Sequence, residues 1–148
     1  MSYWDSACLI KLYIDEPDSA IFRAHGQHGE VATSSELARL EFVLTLRRKE
    51  AEGVIAKGAA TKQIELLDGA ILAGFCRLTA VDDDVRTEFE RVVEKCYLQT
   101  PPIFIRTIDA LHVAAALVVG ETEIVATDRK LRDAATLLGF QLFPTPTP

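Results

Sequence analysis

Positive charge is scarce in this chain: 16 Lys and Arg stand against 22 Asp and Glu, for a formal net charge of −6. That balance excludes a broad basic surface that would hold nucleic acid by charge alone. It leaves a nuclease open, because acids that bind cations count in the sum while the cations do not. Cysteine is sparse as well. Cys8, Cys76 and Cys96 are odd in number, far apart and set in apolar surroundings, without a CxxC pair. They read as reduced core thiols rather than zinc or redox ligands. No apolar run is long enough to span a bilayer, since the longest, Ile108 to Val119, is interrupted by Asp109 and His112. The opening MSYWDS has neither the basic nor the apolar region of a signal peptide. A cytoplasmic protein without membrane association is the expectation.

What is present is apolar residue in quantity, 49% of 148 residues, enough for one domain with a sizeable core. Tyr3-Trp4-Asp5 reads as a short strand ending in an acid, and Ser6 opens a helix. Pro17 suits a first helical position, and a short helix through Ile21 and Phe22 fades at Gly26. Glu30 to Thr33 reads as a second strand. Thr33-Ser34-Ser35-Glu36 has capping-box spacing and opens a helix running to about Glu52. After the turn between Gly53 and Gly58, a helix covers Ala60 to about Leu72 and a strand Cys76 to Val81. Asp82 caps a helix with Val85, Phe89, Val92, Val93 and Cys96 at helical spacing. Thr100-Pro101-Pro102 breaks the chain before an apolar helix that stops at Gly120. A short strand then delivers Asp128, a last helix reaches Gly139, and Phe140 to Phe143 forms a final strand. Residues 144–148 read as a flexible Pro/Thr tail. Strands alternating with helices predict an α/β fold, with a central parallel sheet of about four or five strands flanked by helices. No linker or internal repeat divides it.

Four acids stand out against this frame. A helix apolar on all sides is a buried helix, so Asp109 in its first turn needs compensation. Asp5 and Asp128 each end a strand, and in open parallel sheets sites form beyond the carboxyl ends of the strands. Glu41 lies on an inward helix stripe with Leu37, Ala38, Leu44 and Thr45. Each acid has a blander reading: Asp5 and Asp128 as helix caps, Asp109 as a partner of the helix dipole, Glu41 as half of an ion pair with Arg. Two carboxylates roughly 5 Å apart repel by about 3 kcal/mol at an effective dielectric near 20, so four of them together call for protons or a hard cation. Oxygen ligands favour Mg²⁺, with Mn²⁺ as the alternative. Metal-assisted phosphoryl transfer is the natural task of such a site.

Other features weigh less. Asp82-Asp83-Asp84 reads as a solvated helix start. His25 and His28 lack further ligands for zinc. His112, one turn beyond Asp109, reads as a hydrogen-bonded core residue, with contact to the acidic site as the alternative. Arg47-Arg48-Lys49 reads as a solvated helix end, with RNA contact as the alternative, and Arg129 or Lys130 is placed to position a nucleic-acid backbone.

YWDSACLIKLYIDEPDS resembles the opening of PIN-domain proteins. SSELARLEF, IDALHVAAAL and IVATDRKLRDAATLLGFQL resemble their three further motifs, in the same order, across Tyr3 to Leu142. Within that family the chain is similar to the VapC toxins of VapBC toxin–antitoxin pairs. The resemblance implies a single PIN domain over residues 1–143 that acts as a Mg²⁺- or Mn²⁺-dependent endoribonuclease. Asp5, Glu41, Asp109 and Asp128 are then the metal-holding acids and Ser6 the hydroxyl that hydrogen-bonds within their site. It further implies a metal-activated water as nucleophile, a 5′-phosphate product and structured RNA as substrate. A VapB-like antitoxin and a homodimer complete the implied partners. Thr127 stands where a small polar residue is often found. Ala7 replaces a more usual polar residue and Trp4 a more usual aliphatic one. The alternatives are a PIN nuclease outside toxin–antitoxin systems, acting on RNA or DNA, and a non-catalytic PIN-fold binding module.

Overall fold

The computed structural model describes residues 1–28 and 30–147. Five parallel strands form one sheet: β1 (Ser2–Trp4), β2 (Ala32–Ser35), β3 (Cys76–Thr79), β4 (Glu123–Val125) and β5 (Gln141–Phe143), in the order β3-β2-β1-β4-β5. The helices are α1 (Ser6–Ile10), α2 (Ser19–Gly26), α3 (Glu36–Ala51), α4 (Ala59–Leu72), α5 (Asp83–Tyr97), α6 (Thr107–Val119) and α7 (Arg129–Leu137). The chain winds outward from β1 through β2 to β3, then returns to β4 on the other side of β1. The direction of winding therefore reverses between β1 and β4, which is where open α/β sheets place their sites.

Alternation along the strands builds two cores. Tyr3 and Ile124 face the layer of α5, α6 and α7, with Val92, Val113, Leu131 and Ala134. Trp4 and Val125 face the opposite layer, with Leu9, Phe22, Phe42, Leu46 and Leu67. The expected burial of α6 holds: Ala110 and Val113 through Ala116 are buried, and Gly120 ends the helix at φ 73°, a left-handed turn that favours glycine. All three cysteines are unpaired and buried. Among the described residues no helix is long and apolar enough to cross a membrane.

Several local expectations shift. The expected capping box does not form. Register pairing from Ala32↔Cys76 to Ser35↔Thr79 keeps residues 32–35 extended, so α3 starts only at Glu36. Ser35 is its cap, accepting from the Leu37 N–H at 3.2 Å. Thr33 instead donates to Glu121 at 2.8 Å, and Glu36 accepts from the Val81 N–H. Pro17 precedes α2 rather than opening it. The Ser19 hydroxyl accepts from the Glu16 N–H and donates to the Ile14 carbonyl, closing the turn before the helix. The expected tail begins at Pro144, whose carbonyl accepts from Arg132 at 2.7 Å; its last residue, Pro148, lies outside the described residues.

Candidate functional site

The ends of β1 and β4 are tied together by the Asp5 N–H, which donates to the Val125 carbonyl at 3.1 Å. Just past them the sheet opens into a cavity of about 580 Å³. Asp5, Glu41, Asp109 and Asp128 all line it, together with Ser6, His112 and Thr127. Side chains up to 123 positions apart in sequence thus meet in one place: two follow adjacent strands, one sits on the helix that continues from β2, and one lies in the first turn of α6.

The local duties of the acids and their shared location are compatible. Asp5 caps α1, accepting from the Cys8 N–H at 2.7 Å. Asp128 caps α7, accepting from the Leu131 N–H at 3.0 Å. Both therefore perform the bland role read from sequence while lining the cavity. Among the described residues Glu41 makes no ion pair with arginine. It accepts from the Ser6 hydroxyl at 2.5 Å and lies 3.2 Å from His112 Nε2.

His112 has both of its expected roles at once. Its Nδ1 is 2.8 Å from the buried Tyr3 hydroxyl and its Nε2 is 3.1 Å from Ser6 Oγ. A carboxylate only accepts, so the contact with Glu41 places a proton on His112 Nε2. The chain Tyr3–His112–Glu41–Ser6 thus runs from the core to the cavity wall through continuous hydrogen bonds.

Charge is unevenly compensated among the acids. Burial pushes the Asp5 carboxyl above its ordinary value, against the opposing Cys8 N–H and the nearby His112. Burial also acts on Glu41, but there the hydrogen bonds from His112 and Ser6 prevail and hold it below the usual range. Asp109, 7% exposed, and Asp128 share one partner absent from the sequence reading. Arg106 donates from Nε to Asp109 at 2.8 Å and from Nη2 to Asp128 at 3.1 Å. No periodicity marks Arg106, which stands just before α6 and looks like any solvated residue at a helix start.

The oxygen donors suit a hard divalent cation in kind, and they share one cavity. Among the described residues, however, no group of three or more His, Cys, Asp and Glu side chains is arranged to hold a metal ion as it stands. Each carboxylate is turned to a partner within the protein. Basic residues form part of the cavity wall: Lys11, Arg48 and Lys49. Lys11 pairs with Glu16 and Asp18, and Lys49 with Glu16, whereas no ion pair holds Arg48 among the described residues. Arg47 points elsewhere, donating to Thr61 at 3.0 Å. Arg129 and Lys130 are not part of the cavity wall; Arg129 is 94% exposed beside Asp133. His25 stacks on Phe143 and bonds Glu123 at the other end of the sheet.

Comparison with known proteins supplies the context. The PIN domain family model matches residues 3–137. The chain is 30% identical over 140 residues to Ribonuclease VapC46 of Mycobacterium tuberculosis strain H37Rv, an alignment covering 93% of this chain and 92% of that protein. Among solved structures it resembles FitAcB from Neisseria gonorrhoeae with a TM-score of 0.66 at 15% identity, covering 97% of this chain and 96% of that one. It resembles FitAB bound to an IR36 DNA fragment with a TM-score of 0.68 at 16% identity, covering 97% and 94%. At those identities the two structures speak for the fold alone.

Proposed function

The chain belongs to the PIN domain family, and on that premise we propose that it is a divalent-metal-dependent endoribonuclease, the toxin of a VapBC-type pair. The observation that carries the reading is the meeting of Asp5, Glu41, Asp109 and Asp128 in one cavity at the switch point of the sheet. Similarity to a VapC ribonuclease over nearly the full length of both chains supports RNA as the substrate class.

The four carboxylates would hold one or two Mg²⁺ or Mn²⁺ ions. When bound, such an ion supplies Lewis acidity to the scissile phosphodiester and to an attacking water. The remaining work falls to the chain itself. Tyr3 holds the His112 ring, and His112 with Ser6 keeps Glu41 ionised and aimed at the cavity. The Cys8 N–H fixes the rotamer of Asp5, and the Leu131 N–H that of Asp128. Arg48, which has no ion-pair partner among the described residues, binds a phosphate of the RNA strand where it enters beside α3. Ala7 lines the cavity but offers no polar side chain, and the neighbouring Ser6 hydroxyl is directed to Glu41 and His112. A VapB-like antitoxin would block this cavity, and the active particle would be a homodimer.

Incubating the purified chain with RNA and with single-stranded DNA, in Mg²⁺ and in chelator, tests the reading. The expected result is internal cleavage of RNA that requires the ion and leaves 5′-phosphate ends. Cleavage that persists in chelator, or that prefers DNA, contradicts it.

A further inference from the structure

Two of the acids proposed above as ion ligands are already served by a cation of the protein's own. Arg106 places one guanidinium between two carboxylates from different elements, Asp109 in the first turn of α6 and Asp128 at the cap of α7. The contacts, 2.8 Å from Nε and 3.1 Å from Nη2, are those of charge-assisted hydrogen bonds. The same pair of carboxylates attracts the guanidinium enough to hold its proton more tightly than usual, through the bond to Asp109 first and then the charges of Asp109 and Asp128. Its side chain is nevertheless 65% exposed, whereas that of Asp109 is 10% exposed. The cation can therefore swing into solvent while the acid cannot.

We propose that Arg106 is a built-in counter-ion, which occupies the Asp109–Asp128 pair until a divalent ion displaces it and so sets the ion concentration at which the site loads. The inference rests on the reading of these acids as ion ligands. Three facts support it. Among the described residues no three ligating side chains are arranged for an ion as they stand, and Arg106 is what holds two of the four acids. A guanidinium cannot be deprotonated near neutral pH, so it yields the carboxylates only by moving. Exposed ion pairs are weak, so a multiply charged ion can win the exchange. Arg106 also makes no side-chain capping bond to α6, although its backbone occupies the cap position. Replacing its side chain therefore removes the counter-ion without taking away a helix cap.

Calorimetric titration of Mn²⁺ into the wild-type chain, Arg106→Lys and Arg106→Gln, without RNA, tests this directly. Gln has no charge to compete, and Lys keeps a point charge without the fork that spans two carboxylates. The expected order of Mn²⁺ affinity is Gln above Lys above wild type, with roughly three- to tenfold between the extremes. In chelator the thermal midpoint of Arg106→Gln should fall below that of wild type, and saturating Mn²⁺ should close the gap. A merely structural arginine gives the opposite sign, because a loosened site binds the ion more weakly. Equal or weaker Mn²⁺ binding by Arg106→Gln overturns the counter-ion role and leaves the ion site standing. No Mn²⁺ uptake by any of the three chains overturns both.

Discussion

Burial makes the charge on Asp5 costly. Asp5 is 4% exposed, and burial raises its pKa despite the hydrogen bond from the Cys8 N–H. A carboxyl whose folded pKa lies above its unfolded value favours the fold while protonated, and weakens it as pH rises through the carboxylate range. Asp5→Asn removes that cost and keeps an oxygen to accept from Cys8. In chelator at neutral pH the variant should be more stable than wild type. The gain should vanish as pH falls below the ordinary aspartate range. Urea unfolding at two pH values measures it; a loss of stability at neutral pH would contradict the assignment. Glu41 has the opposite sign: its contacts with His112 and Ser6 stabilise the fold above the carboxylate range and are lost on acidification.

At the scale of the element, α3 joins chemistry to recognition. Glu41, Thr45 and Arg48 recur at offsets of four and three, so one stripe faces the cavity. Arg47, one position earlier, is turned to Thr61 and α4. The neighbouring arginines should therefore differ in effect. Arg48→Ala should weaken RNA binding and reduce its dependence on log salt by about one, while Arg47→Ala leaves both near wild type. Fluorescence anisotropy across a salt series, in chelator to prevent cleavage, separates them; equal effects would remove α3 from the RNA path. The long elements were legible because their periodicity is strong, as in α5, where Val85, Val92 and Cys96 are buried as their spacing predicts. The start of α3 was not. A hydroxyl three residues before a glutamate is a local signal, and pairing with β3 overrides it at Thr33. Arg106 was missed for a related reason: its meaning lies in Asp128, which only the tertiary fold brings near.

For the whole molecule, alternating strands and helices predict a parallel sheet but not its order. That order, β3-β2-β1-β4-β5, is what makes Asp5 and Asp128 neighbours. The four acids were legible from their odd company, as polar residues on apolar elements or at strand ends. Their common cavity depends on where the fold sets α3, which continues from β2, and the first turn of α6. The account's central claim is that these dispersed carboxylates act as a single site. Groups acting as one unit lose their function together, so their substitutions are not additive. The direct measurement is the rate of RNA cleavage in saturating Mn²⁺ by Asp109→Asn, by Asp128→Asn and by the chain carrying both. The account predicts that each single change lowers the rate by about a thousandfold or more, and that combining them costs little further. Single variants that cleave at the wild-type rate, or losses that multiply in full in the double variant, would contradict it.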